Sequence, residues 1–92
     1  MDLKTLQGIV NDRALKPNEN SYTYQLLSAG KVVVAKKIAE EAAEVALAIA
    51  AETSERVTEE AADLLYHLMV GLQTRGVTLE DVQKVLEDRH HP

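Results

Sequence analysis

The chain contains no cysteine, no phenylalanine and no tryptophan, and only four glycines and two prolines in 92 residues. Without cysteine there is neither a disulfide framework nor a thiolate metal site, so any metal must be held by carboxylates or histidines. The scarcity of helix breakers, with 46% hydrophobic residues of which many are alanine, favours helices over strands. A chain this short buries only roughly 60–65% of its unfolded surface. Lacking Phe, Trp and disulfides to thicken or staple its core, it would gain from a partner subunit.

Other absences narrow the function. The start, "MDLKTLQGIV", has neither the basic end nor the long apolar run of a secretory signal, and no segment reaches the ~18 apolar residues of a membrane span. A cytoplasmic location is the expectation. The net charge of −5 opposes a broad nucleic-acid surface, but it leaves room for a small phosphate ligand held by local cations and a metal. There is no Ser or Cys nucleophile constellation, no glycine-rich phosphate loop and no zinc-type spacing. No composition break divides the chain, so residues 1–92 are expected to form a single domain.

What is present is helical periodicity. Leu3, Leu6, Ile9 and Val10 mark a first helix from Asp2 to about Asn11, which "DRALKPNEN" then loosens. Ser21 can cap a second helix through "YTYQLLSA", stopped by Gly30. A long third helix runs from Lys31 to Glu52, with Val34, Ile38, Ala42, Val45 and Ile49 as its apolar stripe. Within it, Val32-Val33-Val34 leaves a short strand as the alternative. "TSE" breaks the helix, with Thr53 or Ser54 as the next cap. The fourth helix spans Glu55 to Thr74 and ends at Arg75-Gly76. "VTLEDVQKVLEDR" supplies the last, opened by Thr78 and Asp81 at the spacing of a capping box. The expected fold is all-α, a helical bundle built on a long antiparallel helical hairpin and completed by oligomerisation.

The acids are placed on this frame. At about 100° per residue, Lys37, Glu41, Glu44 and Ala48 share one side of the third helix, with Glu40 at its margin. Arg56, Glu60, Asp63 and His67 repeat the arrangement on the fourth. Acids on helices are ordinarily solvated. Around the fourth helix, however, Ala61, Leu64, Leu65, Leu68 and Leu72 fill one face while Ala62, Tyr66, Met69 and Val70 extend the apolar surface, and a helix apolar nearly all round is expected to be buried. Its acids then either reach a cavity or carry a desolvation cost. A short turn would set Glu41 and Glu44 opposite Glu60 and Asp63. Four converging carboxylates suit a hard cation, Mg²⁺ or alternatively Mn²⁺, which keeps several waters and draws further ligands from substrate phosphates.

The remaining polar residues have two readings each. Lys37 and Arg56 are candidates for phosphate contact, with simple solubilisation as the alternative. Arg13 and Lys16 precede the second helix, whose amino end at Ser21, Tyr22 and Thr23 can bind an anion or be merely capped. His67 can serve as metal ligand, acid or base, or hydrogen-bonded packing residue, and is not assigned to catalysis. His90 and His91 are expected to fray.

"KKIAEEAAEV" followed by "EEAADLLYHLMVGL", with 15 residues between Glu44 and Glu60, resembles the E-E-x-x-E then E-x-x-D signature of the all-α nucleoside triphosphate pyrophosphohydrolases. "SYTYQLLSAG" before the acids and "TRGVTLEDVQKVLEDR" after them make the chain similar, over about residues 20 to 89, to the phosphoribosyl-ATP pyrophosphohydrolases of histidine biosynthesis. The resemblance implies Mg²⁺-dependent hydrolysis of 1-(5-phosphoribosyl)-ATP to 1-(5-phosphoribosyl)-AMP and pyrophosphate. It also implies metal ligation by Glu41, Glu44, Glu60 and Asp63, with Glu40 as a further ligand or as the residue orienting the attacking water. Ala39 stands where members often have Gly, a departure that favours helix. Dimers or tetramers of the kind such proteins form would cover Met69 and Val70. Two other readings compete: a housecleaning pyrophosphohydrolase for a different nucleotide, and a non-catalytic dimerisation module whose acids only face water.

Overall fold

In the computed structural model, which describes residues 1–90, the chain forms five helices, α1 (Leu3–Leu15), α2 (Tyr22–Ala29), α3 (Lys31–Ala51), α4 (Ser54–Thr74) and α5 (Leu79–Arg89). No strand occurs among the described residues, so Val32–Val34 belong to α3 and the fold is all-α. Four helices begin on a short polar side chain that accepts a backbone N–H left free by the first turn: Asp2 from Thr5, Ser21 from Tyr24, Thr53 from Arg56 and Thr78 from Asp81. At Thr78 the Asp81 side chain returns the bond to the cap's own N–H at 2.9 Å, completing the capping box.

The exception is Gly30. It ends α2 and starts α3 at once with φ of 96° and no side-chain cap, a backbone state that glycine reaches without strain. At the far end of α4, Gly76 adopts φ of 65°, while its N–H bonds to Gln73 and that of Val77 to Leu72, closing the helix in a Schellman motif.

α1 runs on to Leu15, past the expected end near Asn11. Nothing in "DRAL" breaks a helix, and the Asp12–Lys16 pair at 2.9 Å supports the last turn. The stop is Pro17, which forces Lys16 into extended backbone (φ −124°, ψ 93°). His90 is not frayed: its N–H bonds to the Leu86 and Glu87 carbonyls and closes α5. His91 lies outside the described residues.

α3 and α4 make the most extensive contact in the fold, joined by Glu52 and Thr53, with α1 and α2 laid against them. The core is Val10 of α1, Leu26 of α2, Val34 of α3 and Met69 and Val70 of α4, flanked by Leu6, Leu27, Ile38, Tyr66, Leu72 and Leu79. Full burial of each such side chain contributes about 1.5–3 kcal/mol.

Two expected faces are therefore corrected. Met69 and Val70, assigned to a partner surface, are buried within the chain, whereas Leu65 and Leu68 are 41% and 37% exposed. The reason is α1 and α2, which bring Val10 and Leu26 onto the Met69–Val70 side of α4. On α3 the covered stripe is Val34, Ile38, Glu41, Val45 and Ala48, while Ala42 and Ile49 face out. Steps of four, three, four and three average 3.5 residues, the spacing that keeps one seam turned toward a neighbouring helix. The expected stripe takes steps of four, four, three and four, averaging 3.75 residues, and drifts off the seam. Glu41 thus lies in the packed seam, and Ala48, placed by periodicity on the polar strip, is fully buried. No helix among the described residues is long and apolar enough to cross a membrane.

Candidate metal centre

Glu41 from α3 and Glu60 and Asp63 from α4 each offer a carboxylate oxygen, and these oxygens lie within 4.8 Å of one another. Glu52 and Thr53 alone link α3 to α4, and the extensive contact between these two helices makes this possible. Glu60 is only 6% exposed. Its Oε1 accepts from the Arg56 guanidinium one turn earlier, but Oε2 of Glu60 and Oε2 of Glu41 are buried with no hydrogen-bond partner among the described residues. Buried carboxylate oxygens without donors are costly, and a cation is the ordinary remedy.

Glu44 is exposed at the rim of this group, yet its carboxyl lies against that of Glu60. The nearness of the Glu44 carboxyl is the chief cause that raises the Glu60 pKa above the usual carboxylate range. Burial adds to the shift, as do the charges of Glu44 and Asp63, while Arg56 opposes it. Arg56 itself is pushed up by Glu60 first and Glu59 next, and Glu52 also holds it, with Nε at 3.6 Å and Nη1 3.7 Å from Glu59. The guanidinium is thus bound up with glutamates of its own helix and its approach.

The other expected residues fall around this centre. Glu40 points outward and pairs with Lys37 at 3.9 Å, leaving Lys37 half-buried beside the acids. Arg13 and Lys16 both pair with Asp12 at the end of α1, at 3.2 and 2.9 Å. His67 is a buried packing residue. Its Nδ1 sits 2.7 Å from the Asp63 carbonyl, which can only accept, so that nitrogen carries the proton. In the neutral ring Nε2 then accepts the Tyr22 hydroxyl at 3.3 Å.

A cluster that the residue spacing did not reveal surrounds His67. Tyr66 and Tyr22 stack with ring centres 6.2 Å apart and planes at 22°, and the His67 ring meets Tyr66 edge-on at 5.0 Å. The Tyr66 hydroxyl is hydrogen-bonded to Thr23, and burial holds its pKa above the usual phenol value. The sequence did carry a signal: three tyrosines are the only Phe, Trp or Tyr residues in the chain, and two of them meet here.

An all-oxygen donor set with two orphaned buried atoms suits a hard divalent ion. Comparison with known proteins agrees with that chemistry. The profile of the phosphoribosyl-ATP pyrophosphohydrolase family matches residues 3–90, a longer stretch than the expected 20 to 89, so α1 is part of the family pattern too. A phosphoribosyl-ATP pyrophosphatase of Pyrobaculum aerophilum is 51% identical over 84 residues, covering 91% of this chain and 89% of that protein. One from Sulfurisphaera tokodaii is 46% identical over 87 residues, covering 95% and 93%. Another from Rhizobium rhizogenes is 45% identical over 87 residues, covering 95% and 84%. A cluster of carboxylates set between two helices, in a chain matched over nearly its whole length, leads to one statement: this chain belongs to the phosphoribosyl-ATP pyrophosphohydrolase family.

Proposed function

We propose that the chain is a phosphoribosyl-ATP pyrophosphohydrolase. It cleaves the anhydride between the α and β phosphates of 1-(5-phosphoribosyl)-ATP, the second step of histidine biosynthesis. Water supplies an oxygen to one phosphoryl group and its proton to solvent, and the products are 1-(5-phosphoribosyl)-AMP and pyrophosphate. The observation that carries this reading is the pair of buried carboxylate oxygens of Glu41 and Glu60 that have no hydrogen-bond partner among the described residues.

In this reading Glu41, Glu60 and Asp63 would hold Mg²⁺, with Glu44, at the rim beside Glu60, as the fourth ligand. Mn²⁺ suits the same oxygens. A bound divalent ion supplies charge neutralisation for the phosphates and eases deprotonation of the attacking water. Glu40, exposed beside the cluster, would orient that water as general base. Lys37 needs only to leave its 3.9 Å pairing with Glu40 to meet a phosphate oxygen. Arg56 must release Glu60 to do the same; while it stays, it balances the charge of that residue.

The assignment extends to the molecule. Residues 1–92 act as one cytoplasmic domain, α3 and α4 form its long antiparallel hairpin, and the bundle is completed as a homodimer or dimer of dimers. Support comes from the open apolar face on α3 and α4, where a groove of about 440 Å³ is lined by Val32, Ala35, Ile38, Leu68, Gly71 and Leu72. Purified protein is expected to release pyrophosphate from phosphoribosyl-ATP only with Mg²⁺ or Mn²⁺. Glu41→Gln should lower kcat by at least about a hundredfold, since metal and nucleophile are both affected. Equal activity of that variant, or comparable release from dUTP or dITP, would overturn the mechanism or the substrate respectively.

A further inference from the structure

Tyr22 is 49% exposed, and the way it is held is unusual for a surface ring. One face stacks on Tyr66 at 6.2 Å, and the His67 ring lies edge-on at 6.1 Å and 77°. The hydroxyl is tied to His67 Nε2. A half-exposed aromatic with a single attachment can swing. This ring is restrained on its inner face, on its flank and at its tip, so its outer face is offered to solvent in a fixed plane.

The place of that face matters as much as its rigidity. Two successive hydrogen bonds, from Tyr22 to His67 and from His67 to the Asp63 carbonyl, join the ring to the turn of α4 that bears Asp63. His67 also shares the side of α4 that carries Glu60 and Asp63, about one helical turn, or ~5–6 Å, beyond Asp63 along the axis. A nucleotide whose phosphates lie at the carboxylates must put its base within a short reach of them, and every base has a flat π-face that stacks on a fixed aromatic. The chain has no Phe or Trp to serve instead, and of its other tyrosines Tyr66 lies behind Tyr22 while Tyr24, two residues on in α2, is turned by about 200° to the other side of that helix.

We infer that the outer face of Tyr22 is the platform on which the purine of the nucleotide substrate stacks. The inference rests on the phosphoribosyl-ATP reading and adds to it the residue that grips the base. The metal cluster holds the phosphates and Tyr22 holds the opposite end, so the two contacts separate experimentally. Pyrophosphate has no base and reports on the first alone.

Tyr22→Ala is expected to raise KM for phosphoribosyl-ATP about tenfold to a hundredfold, the effect of losing one base–aromatic stack, with kcat the less affected. Inhibition by pyrophosphate should be the same as in the parent protein. Tyr22→Phe keeps the face but loses the tie to His67 that helps hold it in plane, so its KM should rise, by less than that of Tyr22→Ala. Tyr22→Trp introduces the sole tryptophan, whose fluorescence should be quenched by AMP in the presence of Mg²⁺ but not by pyrophosphate. An unchanged KM in Tyr22→Ala, pyrophosphate inhibition weakened alongside it, or no quenching by AMP each overturns the platform. If the parent protein itself releases no pyrophosphate from phosphoribosyl-ATP, the underlying activity falls instead. The Trp variant's response to AMP still decides whether Tyr22 binds a purine.

Discussion

Glu60 is where the stability of the metal-free protein and the chemistry of the site conflict. Its raised pKa means that the folded state binds the proton more tightly than the unfolded state does. The associated stability is therefore fully present below the ordinary carboxylate pKa and is lost as pH rises through the folded value. Once ionised, Glu60 is a poorly solvated carboxylate beside Glu44 and Asp63. Glu60→Gln removes that charge, so the melting temperature of the chelated protein is expected to rise by a few degrees, while the upward shift produced by Mg²⁺ disappears. Below neutrality the Mg²⁺-induced shift of the parent should shrink as protons compete for Glu60. Thermal melts with and without Mg²⁺ between pH 5 and 8 test both statements, and a retained Mg²⁺ shift in Glu60→Gln would remove this residue from the ligand set. That Glu60 and Glu41 are acids at helical spacing was legible from the residues, but that each keeps one oxygen without a donor was not. Periodicity gives the direction of a side chain on its own helix, whereas burial depends on what the neighbouring helix brings.

At the scale of the helix, the lesson lies in α3 and α4. The caps and stops of α2 to α5 were legible because Ser21, Thr53, Thr78, Gly30 and Gly76 act through local backbone chemistry, whereas the end of α1 was placed too early. The choice of face was not, since alanine-rich α3 has two apolar stripes and only the partner helix selects between them. Gly71 shows how close that partner comes. A Cβ built there would stand 2.6 Å from Ile38 Cδ1 and 3.5 Å from Val34 Cγ1, so an alanine would have to displace the end of the Ile38 side chain. Gly71→Ala is expected to cost about 1 kcal/mol in the parent protein through this clash, despite alanine's better helix propensity. In an Ile38→Val background, which lacks the offending methyl, the same change should be neutral or stabilising. Urea unfolding of the four proteins gives the coupling directly, and strict additivity of the two substitutions would contradict the close approach.

For the whole molecule, the small core predicts company. The α3 stripe of Val32, Ala35, Ala39, Ala42, Ala46 and Ile49 is exposed, with Val32 at 77% and Ile49 at 67%, and it continues across Leu65 and Leu68 of α4. An apolar surface of this continuity on so small a chain is best satisfied by another copy. Light scattering should give a multiple of the 10.1 kDa chain mass, and Ile49→Glu with Leu65→Glu should reduce it to one chain. A parent protein that already runs as a single chain would refute the assembly. The one-residue corner at Gly30 bears on how such a chain can vary in length. There is no slack between α2 and α3, so one residue inserted between Gly30 and Glu41 would rotate the downstream helix by about 100° and carry the first acids out of register with the second pair. The Pro17–Asn20 connection, exposed and outside any helix, carries no such phase. Additions and losses should accumulate there, while the count from the glycine to the first carboxylates stays constant.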